Sequence, residues 1–380
     1  LSACPNFWTS FSKDKNMIRI LQVVTHMNRG GLETMLMNYY RNMDRSRVQF
    51  DFLTHRPYEG DYGEEIRQMG GKLYHLPTLN PFSVSYHKAL GWFFDEHPEY
   101  QVIHVHQDCL SGVILHVAKQ HGVRVRIAHS HGANQIRDLR YPVKLVYRHF
   151  ISRYATHLMA CGEGAGNWMF CGAPFEILNN AIRAGDYSFC PERRKSQREK
   201  WQIRENELLV GHVGSFTIPK NHPFLFDVFY EIQKKVPAKL MVVGDGSQRP
   251  VIEEKIRSLG LQDKIILTGL RTDVPDLMQA MDVFVFPSLY EGLPVTLVEA
   301  QASGLPCLIS DKVPIECKMT EAVQQIPLED SPRIWSEKAI TAAVLPRRDT
   351  YEEIKAAGYD IVENAKRLQT MYEKMMEKCV

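Results

Sequence analysis

Ile18-Arg19-Ile20-Leu21-Gln22-Val23-Val24, then Arg29-Gly30-Gly31, then the run 32–41 is the stretch that sets the fold. Seven residues dominated by apolar and β-branched side chains suit a buried strand. The glycine pair breaks it, and the run that follows has helical character. The same alternation continues outward. Short apolar strands are expected at 50–53, 102–105 and 123–128, separated by helices such as 61–69 and 112–121. A second series follows a polar, basic stretch around 191–200. Its strands are expected at 208–213, 239–243, 264–267, 283–286 and 306–309, with helices at 222–235, 250–259, 274–281 and 295–302. Strands alternating with helices imply parallel sheets covered on both faces. The chain therefore reads as α/β, with two Rossmann-like domains that share architecture but no residue-level repeat.

At 380 residues the chain exceeds what one hydrophobic core usually organises, which agrees with two domains. The expected division is an N-terminal extension at 1–16, a first domain at 17–186, a second at 187–358 and a closing crossover helix at 359–380. Residues 1–16 lack a basic start and a continuous apolar stretch, so they do not read as a secretion signal, and Met17 is a candidate natural start. No segment reaches the roughly 18 apolar residues of a membrane span. The eight cysteines form no Cys-x-x-Cys pair, which argues against a zinc module or disulfide framework and for a reducing cytoplasm. A net charge of +2 is too small to imply nucleic acid. Its distribution is uneven: residues 1–180 hold 19 basic and 15 acidic side chains, and 13 of the 15 histidines.

Open parallel sheets bind ligands beyond the carboxyl ends of their strands, so two such domains facing each other would define one cleft. Glu291-Gly292-Leu293-Pro294-Val295-Thr296-Leu297-Val298-Glu299 follows the strand 283–286 and enters a helix. Pro294 suits the first helical position. The N–H groups of Val295, Thr296 and Leu297 would then face a ligand phosphate. Glu291 and Glu299 would bracket that phosphate, each accepting hydrogen bonds from neighbouring hydroxyls of a sugar or a ribose. Two isolated glutamates would more often be a turn cap and a solvated helix face; the glycine-proline turn and the companion motifs favour the ligand. Gly30-Gly31 lacks the full G-x-G-x-x-G spacing, yet two glycines let backbone N–H groups approach a diphosphate closely. A lone loop lysine is usually solvated, but Lys220 sits between Gly214 and a helix. His129 and His131 are expected to follow the strand 123–128.

These segments resemble the retaining glycosyltransferases of family 4, which have the two-domain GT-B architecture and an E-x7-E signature. The resemblance covers nearly the whole chain from Ile18 and runs to bacterial exopolysaccharide and capsular-polysaccharide transferases. It is carried by Met27-Asn28-Arg29-Gly30-Gly31-Leu32-Glu33-Thr34, Ala128-His129-Ser130-His131, Pro219-Lys220-Asn221-His222 and Pro287-Ser288-Leu289-Tyr290-Glu291-Gly292-Leu293-Pro294. It implies that Glu291 contacts the donor sugar, Glu299 the ribose and Lys220 the diphosphate, and that His129 or His131 lies near the reacting centre. Gly214 and Ser215, Gly246, and Leu270 and Arg271 would complete the donor site with Gly30, Gly31 and 291–297. Asn180 matches an interdomain Asn-Gly-Ile-Asp stretch in which Ala181 and Arg183 depart from the pattern.

Ser215 is a further departure, since many relatives carry arginine after this glycine, and a hydroxyl does not replace a guanidinium. Arg249 or Arg271 could supply the charge from another loop. No Asp-x-Asp pair follows a strand, so no Mg²⁺ is expected on the diphosphate and no cofactor beyond the nucleotide-sugar donor. The expected partners are that donor, a saccharide or polyprenyl-linked acceptor, and an anionic membrane surface under the basic amphipathic run 137–154. The other function classes are a nucleotide-sugar 2-epimerase, in which the E-x7-E segment is absent, and a non-catalytic GT-B partner protein.

Overall fold

The computed structural model describes residues 17–132 and 141–378. The expected extension 1–16 and the first residues of the basic run, 137–140, lie outside these. The described residues form two compact units, one within Leu1–His129, Pro142–Leu158 and Ala365–Val380, the other within Ser130–Tyr141 and Met159–Asn364.

Among the described residues, thirteen strands make two sheets. The first holds β1 (Ile18–Val24), β2 (Val48–Thr54), β3 (Leu73–His75), β4 (Val102–Val105), β5 (Val125–Ser130), β6 (His157–Ala160) and β7 (Glu176–Ile177), in the order β3-β2-β1-β4-β5-β6-β7. The second holds β8 (Leu208–Val213), β9 (Ala238–Val243), β10 (Ile265–Gly269), β11 (Val283–Phe286), β12 (Cys307–Ser310) and β13 (Val323–Ile326), in the order β10-β9-β8-β11-β12-β13. The paired strands run parallel, as between β1 and β2 or β8 and β9. In each sheet the order reverses beside the first strand, so β1 lies between β2 and β4, and β8 between β9 and β11. Crevices for ligands open at such reversals. The loops after β1 and β8, which carry Gly30-Gly31 and Lys220, therefore start at those points.

The alternating side chains of β11 show why these residues make a doubly covered sheet. Phe284 and Phe286 enter one core with Leu297, Val298 and Ile309. Val283 and Val285 enter the other with Phe226, Leu308 and Trp335. Burying one large apolar side chain contributes roughly 1.5–3 kcal/mol, so a one-residue slip would misplace both layers at once.

The strands β1, β4, β8 and β11 match their expected bounds. β5 runs two residues later than expected, which places His129 inside the strand. Strands β3, β6, β7 and β13 and the helix Val84–Glu96 were not anticipated, being short or weakly periodic. The basic stretch 191–200 is the helix Pro191–Lys200. Its arginines neutralise carboxylates of the same unit: Arg193 bonds Asp276, and Arg194 and Arg198 bond Asp282. The closing helix, Ile361–Glu377, belongs to the first unit from Ala365 onward. There Tyr372 is buried, its ring 6.0 Å from that of Phe50 and its hydroxyl 2.7 Å from His104 Nδ1. Among the described residues, no helix is long and apolar enough to cross a membrane.

Candidate active site

The loop after β8 is built to present Lys220. Gly214 leaves room for it, because a Cβ there would lie 3.3 Å from Lys220 Cδ and Cε. Phe216 is fully buried and its N–H donates to Asp245 O at 2.9 Å, which anchors the loop from below. Asn221 adopts a left-handed conformation, φ 53°, and starts the helix His222–Gln233. Asparagine tolerates this region better than most residues. Its Nδ2 donates to Pro287 O at 3.1 Å, and Leu289 N–H donates to Pro219 O at 2.8 Å. The loops after β8 and β11 are thus laced together.

That lacing brings Lys220 to Glu291. Lys220 Nζ lies 2.7 Å from Glu291 Oε1 with both side chains largely buried, and 4.7 Å from the ring centroid of Phe286. The two residues line one pocket with Thr217, Pro219, Tyr290 and Gly292. Pairs of this kind, joined by a charge-assisted hydrogen bond, are held more firmly than surface ion pairs.

The helix after Glu291 runs Val295–Ala302. Two expectations need correction. Pro294 is the N-cap, with φ −72° and ψ 117°, not the first helical residue. The N–H of Leu297 is already used, donating to Pro294 O at 3.1 Å in a tight first turn, and its side chain is core. Val295 and Thr296 open the helix. The Thr296 hydroxyl is buried and finds no hydrogen-bond partner among the described residues. An unsatisfied buried hydroxyl costs about 1–3 kcal/mol unless a ligand completes it.

Glu299, one helical turn further, accepts a hydrogen bond from the Tyr187 hydroxyl at 2.6 Å. Burial raises its pKa above the ordinary carboxyl value, and the Tyr187 bond works in the opposite direction. Asn180 Nδ2 donates to Leu293 O at 3.2 Å, which ties the interdomain asparagine to the Gly292-Leu293-Pro294 turn. Tyr187 escaped the sequence reading because its one signal, a tyrosine in the short helix Ala184–Tyr187, is unrelated in spacing to Glu299.

The remaining candidates in the second unit divide. Gly246 has φ 158° and a Cβ there would lie 2.6 Å from Phe216 O, so it permits close approach of two loops. Ser215 Oγ is 3.3 Å from Thr217 Oγ1. Neither proposed substitute for the missing arginine is an uncompensated cation. Arg249 bonds Asp245 and Glu253, each at 2.8 Å, and Arg271 bonds Asp273 at 2.6 Å. Leu270, beside it, is exposed.

In the first unit, Gly30 caps the helix Gly31–Asn42 with extended backbone, and a Cβ there would collide with the Glu33 carboxylate. Open space surrounds Gly31. Glu33 is buried at the helix start, 3.2 Å from His26 Nδ1, and burial pushes its pKa up to about 7. Glu33 stands in the 27–34 motif, but its sequence position marks no role, because a first-turn glutamate is ordinarily a solvated helix-dipole partner.

The two histidines also separate. His129 lies within β5 and is 1% exposed, its ring 5.1 Å from that of His104. His131, in the second unit, follows β5 and is half-buried; desolvation lowers its pKa to about 3, so it stays neutral. A Cβ at Gly292 of the same unit would lie 3.1 Å from His131 O.

Residues 193–326 match the family of Glycosyl transferases group 1, and residues 30–169 match the Glycosyl transferase 4-like domain. The glycosyltransferase-family protein EpsF of Bacillus subtilis (strain 168) is 37% identical over 378 residues, covering 95% of this chain and 97% of that protein. The UDP-Gal:alpha-D-GlcNAc-diphosphoundecaprenol alpha-1,3-galactosyltransferase of Escherichia coli is 25% identical, covering 56% of this chain and 58% of that enzyme. Among solved structures, Anabaena HepE in complex with UDP superposes with a TM-score of 0.76 at 18% identity, covering 94% of this chain and 100% of that one. A group 1 domain joined to a 4-like domain, two parallel sheets and a full-length relative at this identity make the chain a member of the family 4 glycosyltransferases of GT-B fold.

Proposed function

We propose that this protein transfers a hexose or N-acetylhexosamine from a UDP-sugar, with retention of configuration, to a saccharide acceptor carried on a polyprenyl diphosphate. The reaction serves surface polysaccharide synthesis of the exopolysaccharide or capsule kind. The observation that carries this reading is the Lys220–Glu291 pair at 2.7 Å, beside a helix start whose Thr296 hydroxyl awaits a partner. A diphosphate drawn to Lys220 and to the N–H groups of Val295 and Thr296 places its sugar by Glu291. Charge that grows on the departing phosphate meets a fixed ammonium, which stabilises the transition state more than the ground state. Glu299, positioned by Tyr187, takes the ribose hydroxyls. The bound UDP of HepE and the UDP-sugar and diphosphoundecaprenol acceptor named for the E. coli relative favour the same substrate classes.

Retention follows if the acceptor hydroxyl attacks C1 on the leaving-group face. The C1–O bond to the diphosphate breaks, the new glycosidic bond forms on the same face, and the acceptor proton passes to the departing phosphate oxygen. His131, neutral and beyond the strand end, takes the position near the reacting centre, in preference to His129 inside β5. Lysine supplies the charge that Mg²⁺ supplies elsewhere, so neither a metal on the diphosphate nor a cofactor is needed.

An acceptor with a lipid tail places the enzyme at the inner face of the membrane. The helix Tyr141–Tyr154 suits that contact: it exposes Val146 and Phe150 near Phe82, itself 73% exposed, and carries Lys144 and Arg148. Incubation with radiolabelled UDP-sugars and a polyprenyl-diphosphate saccharide tests the whole reading. Label in the lipid fraction supports it. Epimerised nucleotide sugar, or intact donor after long incubation, sinks it in favour of an isomerase or a non-catalytic partner protein. Thermal shift with UDP but not GDP or ADP fixes the base.

A further inference from the structure

We propose that His104, His106 and His129 form a binding site for a late first-row divalent cation, Zn²⁺ or a neighbour such as Co²⁺ or Ni²⁺, at the carboxyl ends of β4 and β5. The cysteines form no Cys-x-x-Cys pair, so no zinc module is legible in the sequence. The structure assembles a cluster from two strands instead.

The parallel register explains how. Val105 pairs with Ala128, so the next positions, His106 and His129, stand side by side, and His104 lies two residues before His106 on the same face of β4. Ring centroids are 4.4 Å apart for His104 and His106, 5.1 Å for His104 and His129, and 5.2 Å for His106 and His129. One nitrogen from each ring lies within 4.8 Å of the other two. Zn–N bonds of about 2.0–2.1 Å in tetrahedral geometry put nitrogens roughly 3.4 Å apart, a closure that small ring rotations supply.

The surroundings orient the rings as metal-bound imidazoles are oriented. His106 Nε2 lies 2.9 Å from Gln22 Oε1, while Gln22 Nε2 donates to the Tyr372 hydroxyl at 3.3 Å. An amide oxygen only accepts, so His106 carries its proton on Nε2 and a lone pair on Nδ1. His104 Nδ1 meets the same Tyr372 hydroxyl at 2.7 Å, which turns its Nε2 to the other side of the ring. A carbonyl or hydroxyl holding the far nitrogen of a ligand histidine is the usual second layer of a metal site. Three imidazoles without a carboxylate select Zn²⁺, Co²⁺ or Ni²⁺ over Mg²⁺, and leave a fourth position for water or an anion. The cluster shares no residue with the Lys220–Glu291 pocket, and the proposal does not rest on the transfer reaction.

The test uses tag-free, full-length protein stripped with chelator and titrated with Co²⁺. The expected result is one equivalent bound, with a visible d–d absorption of the strength typical of four-coordinate cobalt, lost on adding one equivalent of Zn²⁺. His104→Gln and His106→Gln should each weaken binding about 100-fold, and Tyr372→Phe about tenfold. His121→Gln, outside the cluster and bonded to Asp95, should change nothing. Circular dichroism establishes that each variant is folded. Absence of stoichiometric Co²⁺ and Zn²⁺ binding to the folded native protein overturns the proposal, as does binding that His104→Gln, His106→Gln and Tyr372→Phe leave intact. If the histidine variants fail to fold, the native titration together with Tyr372→Phe decides.

Discussion

The carboxyl ends of the two sheets have the same topology and opposite chemistry. In the second unit the loops after the strands carry compensated full charges: Lys220 with Glu291, Arg271 with Asp273, Arg249 with Asp245. In the first unit the corresponding ends hold groups whose charged forms burial disfavours. His55 is lowered to about 4 and Glu33 raised to about 7, in each case chiefly by desolvation. A shared fold therefore does not assign a shared task. On the proposed reading, charge serves the end where a diphosphate departs, and neutral hydrogen-bonding groups suit contact with hydroxyls.

The sharpest way to break this contrast is at Lys220. Lys220→Ala should lower kcat about 10²- to 10³-fold in the radiolabelled transfer assay with the fold intact by circular dichroism. A loss under fivefold would mean that the charged end is structural.

The next test bears on the neutral end. Between pH 4.5 and 7 the folded chain holds a proton on Glu33 that the unfolded chain has released, so this group's contribution to stability is lost as pH rises through that window. The full loss is on the order of 3 kcal/mol above pH 7. Glu33→Gln should accordingly be more stable than the native protein in urea unfolding at pH 8 and equal to it at pH 4. Equal stability at both would show that Glu33 titrates normally.

Tyr187→Phe removes the O–H that Glu299 accepts and should cost about 1–2 kcal/mol of stability at pH 7, with weaker UDP binding by calorimetry. Unchanged values would detach Tyr187 from the donor site. The smallest effect is expected for Arg249→Ala and Arg271→Ala. Both arginines are already paired and partly exposed, so turnover should change less than about threefold. A large loss at either would identify the missing guanidinium.

How much of this was legible in the sequence depended on whether the signal was local. Strands such as β8 and β11 are apolar runs bounded by turn residues, and their limits could be read directly. So could Glu291 and Lys220, through loops that follow strands. Strand β7 has two residues and β3 three, too few for a period to show. The Tyr187–Glu299 bond joins residues 112 positions apart, and the His104–Tyr372 bond residues 268 apart. Such contacts exist only once the sheets are assembled, and no spacing rule anticipates them. The two-residue error in β5 had the largest consequence, since it moved His129 from an expected loop into the strand.

The Lys220–Glu291 pair has a consequence for how ligands are chosen. Because the ammonium is already balanced by a carboxylate, the pocket offers an approaching anion little standing positive potential. Donor affinity should then depend only weakly on ionic strength. Inorganic pyrophosphate, which brings charge but no hydroxyl groups to occupy Glu291, should compete poorly with UDP-sugar. On the proposed reading, the pair favours a diphosphate that brings a sugar over a bare pyrophosphate.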